Sequence, residues 1–317
     1  MNAPLITSAV DNPARGIALK LASILLFTIM SVCIKAAREV APAGETVFFR
    51  SFFAIPPILI YAIVMGRVTD LVDVRSPRAH LWRGLIGVGA MGSGFIALGY
   101  LPLPEAIAIN YAAPLMATGL AAVVLRETVR VYRWTAVGVG LFGVLVMLWP
   151  RLTVVSTGVF TETDVLGAGF ALLGATFSAV ATVQIRTLTR TERTLAIVFW
   201  FAVTASVAAL LTIPWGWSAL DHDTTILLVS AGLLGGTAQI LMTESYRNAD
   251  ASTLAPFEYS SMVYGLGLGY VFFGDVPTPT VLIGASIVIG AGLFIIYRER
   301  QLEIDRTRER AVRPPKH

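Results

Sequence analysis

Runs of about 20 apolar residues, each bounded by charges, prolines or glycines, recur ten times along this chain; about 20 is the length an α-helix needs to cross the hydrocarbon core of a bilayer. They lie at roughly 16–37, 44–65, 82–101, 105–125, 132–150, 165–186, 194–214, 224–246, 251–273 and 277–297. The runs are continuous and lack the alternation of an outer-membrane barrel, so the spans are helices, which satisfy their own backbone where water is absent. The longest connections, Gly66–Leu81 and Arg151–Asp164, have room for a small surface helix but not for a domain. Residues 1–14 contain two prolines and no basic segment, which reads as a short leader and not as a cleavable signal. The pattern predicts an all-α integral membrane protein.

Composition agrees. Hydrophobic residues make up 56% of the chain and charged ones 14%, with a mean hydropathy of +0.73, whereas about a quarter of the residues of a soluble domain are charged. Charge then sets the topology. If the even-numbered connections share a face with both termini, that face holds 20 of the 24 Lys and Arg residues, and the excess of bases marks it as cytoplasmic. The other face keeps Lys35, Arg38 and Arg151 and is acidic, with Glu39, Glu45, Glu105, Glu162, Asp164, Asp221, Asp223 and Asp275; Arg50 lies inside a span. The net charge of +4 is therefore topological, and no aromatic-interleaved basic patch supports nucleic-acid binding. Cys33 stands alone, and its spacing to His80, His222 and His317 fits no metal site. No cofactor is expected.

The chain also repeats. Gly16–Lys35 and Gly167–Arg186 are apolar spans that open on glycine and close on a base at the same interval, and Val123–Met147 aligns with Tyr270–Ile296, each with an acid (Glu127 or Asp275) before a Gly-rich last span. Five spans per half is an odd number, so the second copy enters the membrane upside down. Inverted repeats of this kind place a substrate at the repeat interface in secondary transporters. The expected layout is a leader at 1–14, a first five-helix repeat at 15–150, an extracytoplasmic linker at 151–164, a second, inverted five-helix repeat at 165–297 and a charged cytoplasmic tail at 298–317.

These features carry a family resemblance. Two five-span halves, the IKAAREVAPAGETVFFR stretch from Lys35 to Arg50, the APFEY segment with its FFGDVPTP exit and the matching LRETV of the first half resemble the EamA family of the drug/metabolite transporter superfamily. Within it the chain is most similar to amino-acid and metabolite exporters of the YddG type. Asp275 stands where the family more often has Glu. The resemblance implies a bacterial inner-membrane carrier, monomeric or homodimeric, whose spans one, three, four, six, eight and nine line a central cavity.

Several residues stand out as candidates. Gly87–Gly92 spells GxGxxG, but inside an apolar span and without a βαβ unit it reads as close helix packing and not as a dinucleotide site. Gly232/Gly236 and Gly265/Gly269 read the same way. Glu258 follows Pro256 in the ninth span, at helical spacing with Leu254, Ser261 and Gly265. An intramembrane carboxylate costs roughly 2.5–3.5 kcal/mol and marks function; it is expected to hold a substrate ammonium or a coupling proton, its pKa raised by burial. Polar stripes on other spans point to the same cavity: Asn110 with Tyr111 on span four, Ser178 and Thr182 on span six, Gln239 and Thr243 on span eight, and Tyr259 beside Glu258. Taken singly, each could equally be an interhelical hydrogen bond. Candidate gating positions are Lys35 and Arg50, which could instead snorkel to the interface or attract a carboxylate, the Pro56–Pro57 pair as a kink, Glu244, which could pair with Arg247, and Pro256. The expected function is export of small hydrophilic metabolites, amino acids or their relatives, by alternating access, with uptake or exchange of a larger metabolite, such as a nucleotide sugar or S-adenosylmethionine, as the alternative. No paired acids, HExxH or GxSxG at membrane depth suit an intramembrane enzyme, and no nucleotide motif suits ATP as the driver.

Overall fold

The apolar runs form helices wherever the structure, a computed structural model, describes them; it covers residues 13–113, 115–117, 138–147, 162–188, 191–248 and 254–312, with residues 120, 134, 135 and 149 besides. In chain order these are α1 (Pro13–Ala37), α2 (Ala43–Phe52), α3 (Ile55–Val64), α4 (Pro77–Tyr100), α5 (Leu103–Asn110), α6 (Gly138–Met147), α7 (Glu162–Leu188), α8 (Thr194–Leu210), α9 (His222–Asn248), α10 (Ser260–Phe273) and α11 (Pro279–Val312). Short 3-10 turns occupy Val68–Leu71, Ile213–Trp215 and Ala255–Tyr259. Among the described residues five helices are long and apolar enough to cross a membrane: Ala14–Ala37, Ala43–Val64, Pro77–Tyr100, Val165–Ile185 and His222–Ser245. Gly138–Met147, Thr194–Leu210 and Pro279–Phe294 are shorter apolar helices. Pro114, Glu127 and the stretch 151–161 lie outside the described residues.

Where the helices depart from regularity, proline or glycine is the cause. The second run is two helices, α2 and α3, separated at Phe53–Ala54 immediately before Pro56–Pro57, because proline cannot donate the helical hydrogen bond. The ninth run opens on the 3-10 turn Ala255–Tyr259 around Pro256 before α10 begins. Gly274 ends α10 at φ +67°, a left-handed geometry that glycine adopts without a Cβ penalty; its N–H reaches Tyr270 O, and that of Asp275 reaches Gly269 O. The tail is not a separate segment at its start, since α11 continues without a break from the apolar run to Val312.

Hydroxyls inside the spans bond their own helix, as Thr28 does to Ile24 O (2.8 Å), Ser206 to Ala202 O (2.8 Å) and Thr237 to Leu233 O (2.8 Å). Glycines set the helix separations. A β-carbon on Gly236 would lie 2.7 Å from Ala54 O, and one on Gly232 2.7 Å from Phe49 O, so α9 meets the α2–α3 junction backbone to backbone. Gly143 of α6 and Gly284 of α11 meet in the same way.

The packing has a regular order. Helix α1 packs along α9, and α4 along α7; α4 also meets α8 while α9 meets α2; α1 meets α10 while α5 meets α7; and α2 packs on α8 as α5 does on α10. Exchanging α1, α2, α4 and α5 for α7, α8, α9 and α10 maps this set of pairs onto itself. Loops add a polar clamp. Glu192, between α7 and α8, accepts the backbone N–H groups of Arg75 and Ser76 at 3.1 and 2.8 Å, and its carboxylate lies 3.3 Å from His80 Nε2. Desolvation opposes ionisation of Glu192, but these donors outweigh it and hold the carboxyl below the usual range.

Candidate functional site

The 3-10 turn at Ala255–Tyr259 aims Glu258 at α1, where it forms an ion pair with Lys20. The two partners differ sharply in exposure: the Lys20 side chain is 1% exposed, that of Glu258 45%. Lys20 sits seven residues into α1, about 10 Å along the helix, and Ser23 Oγ donates to its carbonyl at 3.0 Å. Lys20, one of the 20 bases grouped above on the cytoplasmic face, is buried within the bundle. The Glu258 carboxylate, for its part, is not fully desolvated.

An aromatic and hydroxyl wall adjoins the pair. The rings of Tyr111 and Tyr259 meet edge to face at 5.3 Å. Tyr111 Oη lies 2.8 Å from Ser261 Oγ and 3.3 Å from Tyr259 O, and Ser261 donates to Glu258 O at 2.7 Å. Tyr259 reaches α11 at Gly292, where a β-carbon would collide with its hydroxyl. Glu258, Tyr111 and Tyr259 are thus brought together, with Ser261 and Lys20 added. Leu254 and Gly265, on the same face, are buried.

A second ion pair ties α1 to the far end of the same segment. Lys35 Nζ lies 3.0 Å from Asp275 Oδ2, donates to Leu101 O at 3.0 Å and stands 4.9 Å from the centre of the Phe273 ring. The N–H of Leu103 completes the cluster by donating to Asp275 Oδ2 at 2.9 Å. Lys35 therefore packs inward and does not snorkel. Lys20 and Lys35 are about 22 Å apart along α1, and their partners Glu258 and Asp275 follow in the same order, so α1 and the ninth run lie parallel and are pinned near both ends.

The other candidates are more dispersed. Asn110, at the end of α5, is exposed, and Gln239, Thr243 and Ser178 are half-buried. Thr182 donates to Ser178 O within α7 at 2.8 Å. Among the described residues no hydrogen bond or ion pair joins these five to Glu258. Pro56 is exposed and Pro57 half-buried at the α2–α3 break. The carbonyl of Glu244 accepts from Asn248 Nδ2 at 2.7 Å; the Arg247 side chain lies outside the described residues. Arg50 is buried at 6% exposure, out of snorkelling reach, and Arg83 is buried at 9%. No group of three His, Cys, Asp or Glu side chains is placed to hold a metal among the described residues.

Sequence comparison gives this geometry a context. The model of the EamA-like transporter family matches residues 14–149 and again 165–298. A pseudopaline exporter of Pseudomonas aeruginosa is 30% identical over 281 residues, 87% of this chain and 94% of the relative. An S-adenosylmethionine uptake transporter of Rickettsia prowazekii is 26% identical over 93% of this chain and 97% of its own, and a riboflavin transporter of Vibrio cholerae is 27% identical over 90% and 93%. A solved crystal structure shares the fold with a TM-score of 0.62 over 91% of this chain and 98% of that one, at 21% identity.

Proposed function

The chain belongs to the EamA-like transporter family, a family of membrane transporters and not of enzymes, and from that premise we propose that it exports small hydrophilic metabolites bearing an ammonium group, amino acids or their relatives, across a bacterial inner membrane. The observation that carries this reading is the Lys20–Glu258 pair: a half-exposed carboxylate beside the Tyr111–Tyr259 wall, neutralised by a buried lysine. An incoming ammonium, or a proton, can take the place of Lys20 at Glu258, and an aromatic wall favours an ammonium with apolar substituents. Lys35–Asp275 serves as the opposite closure. While it holds, α1, the α4–α5 junction and the end of α10 stay together on that side.

The architecture proposed with it is ten spans in two inverted five-helix repeats with both termini cytoplasmic. Three observations support it: the two matched segments, the packing pairs that survive exchange of the halves, and the parallel course of α1 and the ninth run, as two odd-numbered spans require. Removing Lys20 and Arg83 from the surface count still leaves 18 of the 24 bases on one face. Uptake of a larger metabolite is the second reading, favoured by the similarity to S-adenosylmethionine uptake transporters.

Purified protein in proteoliposomes, assayed against an amino-acid panel plus S-adenosylmethionine with and without a pH gradient, tests both. Failure to transport any amino acid overturns the first reading. Wild-type rates for Glu258→Gln at every pH remove Glu258 from the mechanism.

A further inference from the structure

Arg50 of α2 and Arg83 of α4 converge on one ring, that of Phe201 on α8, with guanidinium carbons 5.8 and 4.5 Å from its centre. Both side chains are more than nine-tenths buried. Arg50 Nε and Arg83 Nε and Nη1 are closed off from solvent and reach no acceptor among the described residues. The ring face attracts a cation but leaves N–H donors unsatisfied, and two like charges at one ring repel each other.

The surrounding helices supply no counter-ion. Helices α1, α3, α4 and α8 contain neither Asp nor Glu. On α2, Glu45 is engaged with the backbone N–H of Ser218 at 3.2 Å. On α9, Gly235 lies against Arg50, a β-carbon there being 3.3 Å from Nε; the acids of that helix, Asp223 and Glu244, stand about 18 and about 14 Å away along its axis. A charge taken out of water without a partner is costly, and buried charges are normally completed by an ion or a salt bridge. Among the described residues no acceptor completes this pair. The site sits where helices of both halves meet, and glycines lie against it on two sides: a β-carbon on Gly87 would be 2.5 Å from Arg83 Nη1 and one on Gly235 3.3 Å from Arg50 Nε.

Resting on the transport reading above, we propose that Arg50, Arg83 and Phe201 form a binding site for a carboxylate group of the transported molecule. Planar guanidiniums match a carboxylate in shape and charge, and a carboxylate is the group that an amino acid carries besides the ammonium offered to Glu258. The same β-carbon on Gly235 would lie 2.8 Å from Met30 Sδ, which sets Arg50 ten residues, about 15 Å, along α1 from Lys20. A small amino acid meets the two sites in succession, whereas an elongated one can bridge them.

The test is the melting temperature of the full-length protein purified in detergent, titrated with sodium acetate, sodium phosphate, methylammonium chloride and sodium chloride at matched ionic strength. Acetate is expected to raise it saturably beyond chloride in wild type and in Glu258→Gln, with the half-saturating concentration rising about tenfold or more in Arg50→Gln and Arg83→Gln. If those variants do not fold, Arg50→Lys and Arg83→Lys keep the charge without the fork and are expected to weaken the acetate response. An acetate response equal to that of chloride, one that survives substitution of both arginines, or tighter binding of phosphate than of acetate overturns the proposal. Because no transport is read, a positive acetate response with no amino acid transported sinks the functional reading and leaves the site; the reverse sinks the site alone.

Discussion

The unequal exposure of Lys20 and Glu258 predicts an asymmetric double-mutant cycle. Glu258→Gln removes the carboxylate facing an ammonium that is 1% exposed. Breaking a buried pair from that side costs roughly 3–5 kcal/mol, and because the carboxylate is itself 45% exposed the lower end, about 3 kcal/mol, is expected. Lys20→Met instead removes the buried charge and leaves a carboxylate that water can reach. The Coulomb contribution lost is then that of a partly exposed pair, about 1 kcal/mol or less, partly offset by the apolar fit of methionine. The double variant should recover most of the loss of Glu258→Gln, for a coupling of about 3 kcal/mol. Denaturant unfolding of the four proteins in one detergent measures all of these. Equal costs for the two single variants, or a coupling near zero, would refute the argument that the desolvated ammonium is the costly partner.

Asp275→Asn weakens the ion pair to Lys35 and should speed maleimide labelling of Cys33, two residues away on α1, several-fold; an unchanged rate shows that the pair closes nothing. Gly236→Val should cost about 2 kcal/mol or more, because its β-carbon meets the Ala54 carbonyl at 2.7 Å, while Gly92→Ala, with nothing within 4 Å, should fold like wild type in the same melting assay. Glu192 has a folded-state pKa below its unfolded value of about 4.3, so its contribution is present above that value and is lost as pH falls through the lower folded one. Hydrogen exchange at residues 72–80 should therefore rise in that acid window in wild type and become insensitive to it in Glu192→Gln, where a persistent acid step would exclude Glu192 as its cause.

Hydropathy alone marked where the described helices run, because backbone satisfaction in lipid is a local requirement that about 20 consecutive residues must meet by themselves. Local chemistry also marked the irregular places: Pro56–Pro57 at the α2–α3 break, Pro256 at the 3-10 turn, and Gly232 and Gly236 at a helix crossing. Glu258 was legible as a carboxylate that needs a reason to be in a span, but its partner was not. Lys20 lies seven residues into α1, where a one-dimensional reading cannot distinguish a snorkelling base from a buried one, and Arg83 posed the same ambiguity in α4. Their burial depends on which helix packs across from them, a matter settled by chain segments more than 100 residues away. Lys35 and Asp275 are separated by 240 positions, and nothing local links Arg50 and Arg83 through Phe201. The sequence by itself therefore determined the membrane helices that the structure describes, their breaks and the presence of costly intramembrane charge; only the tertiary structure decided how those charges pair and which arginines find no carboxylate among the described residues, because pairing energies act through space between segments far apart in the chain.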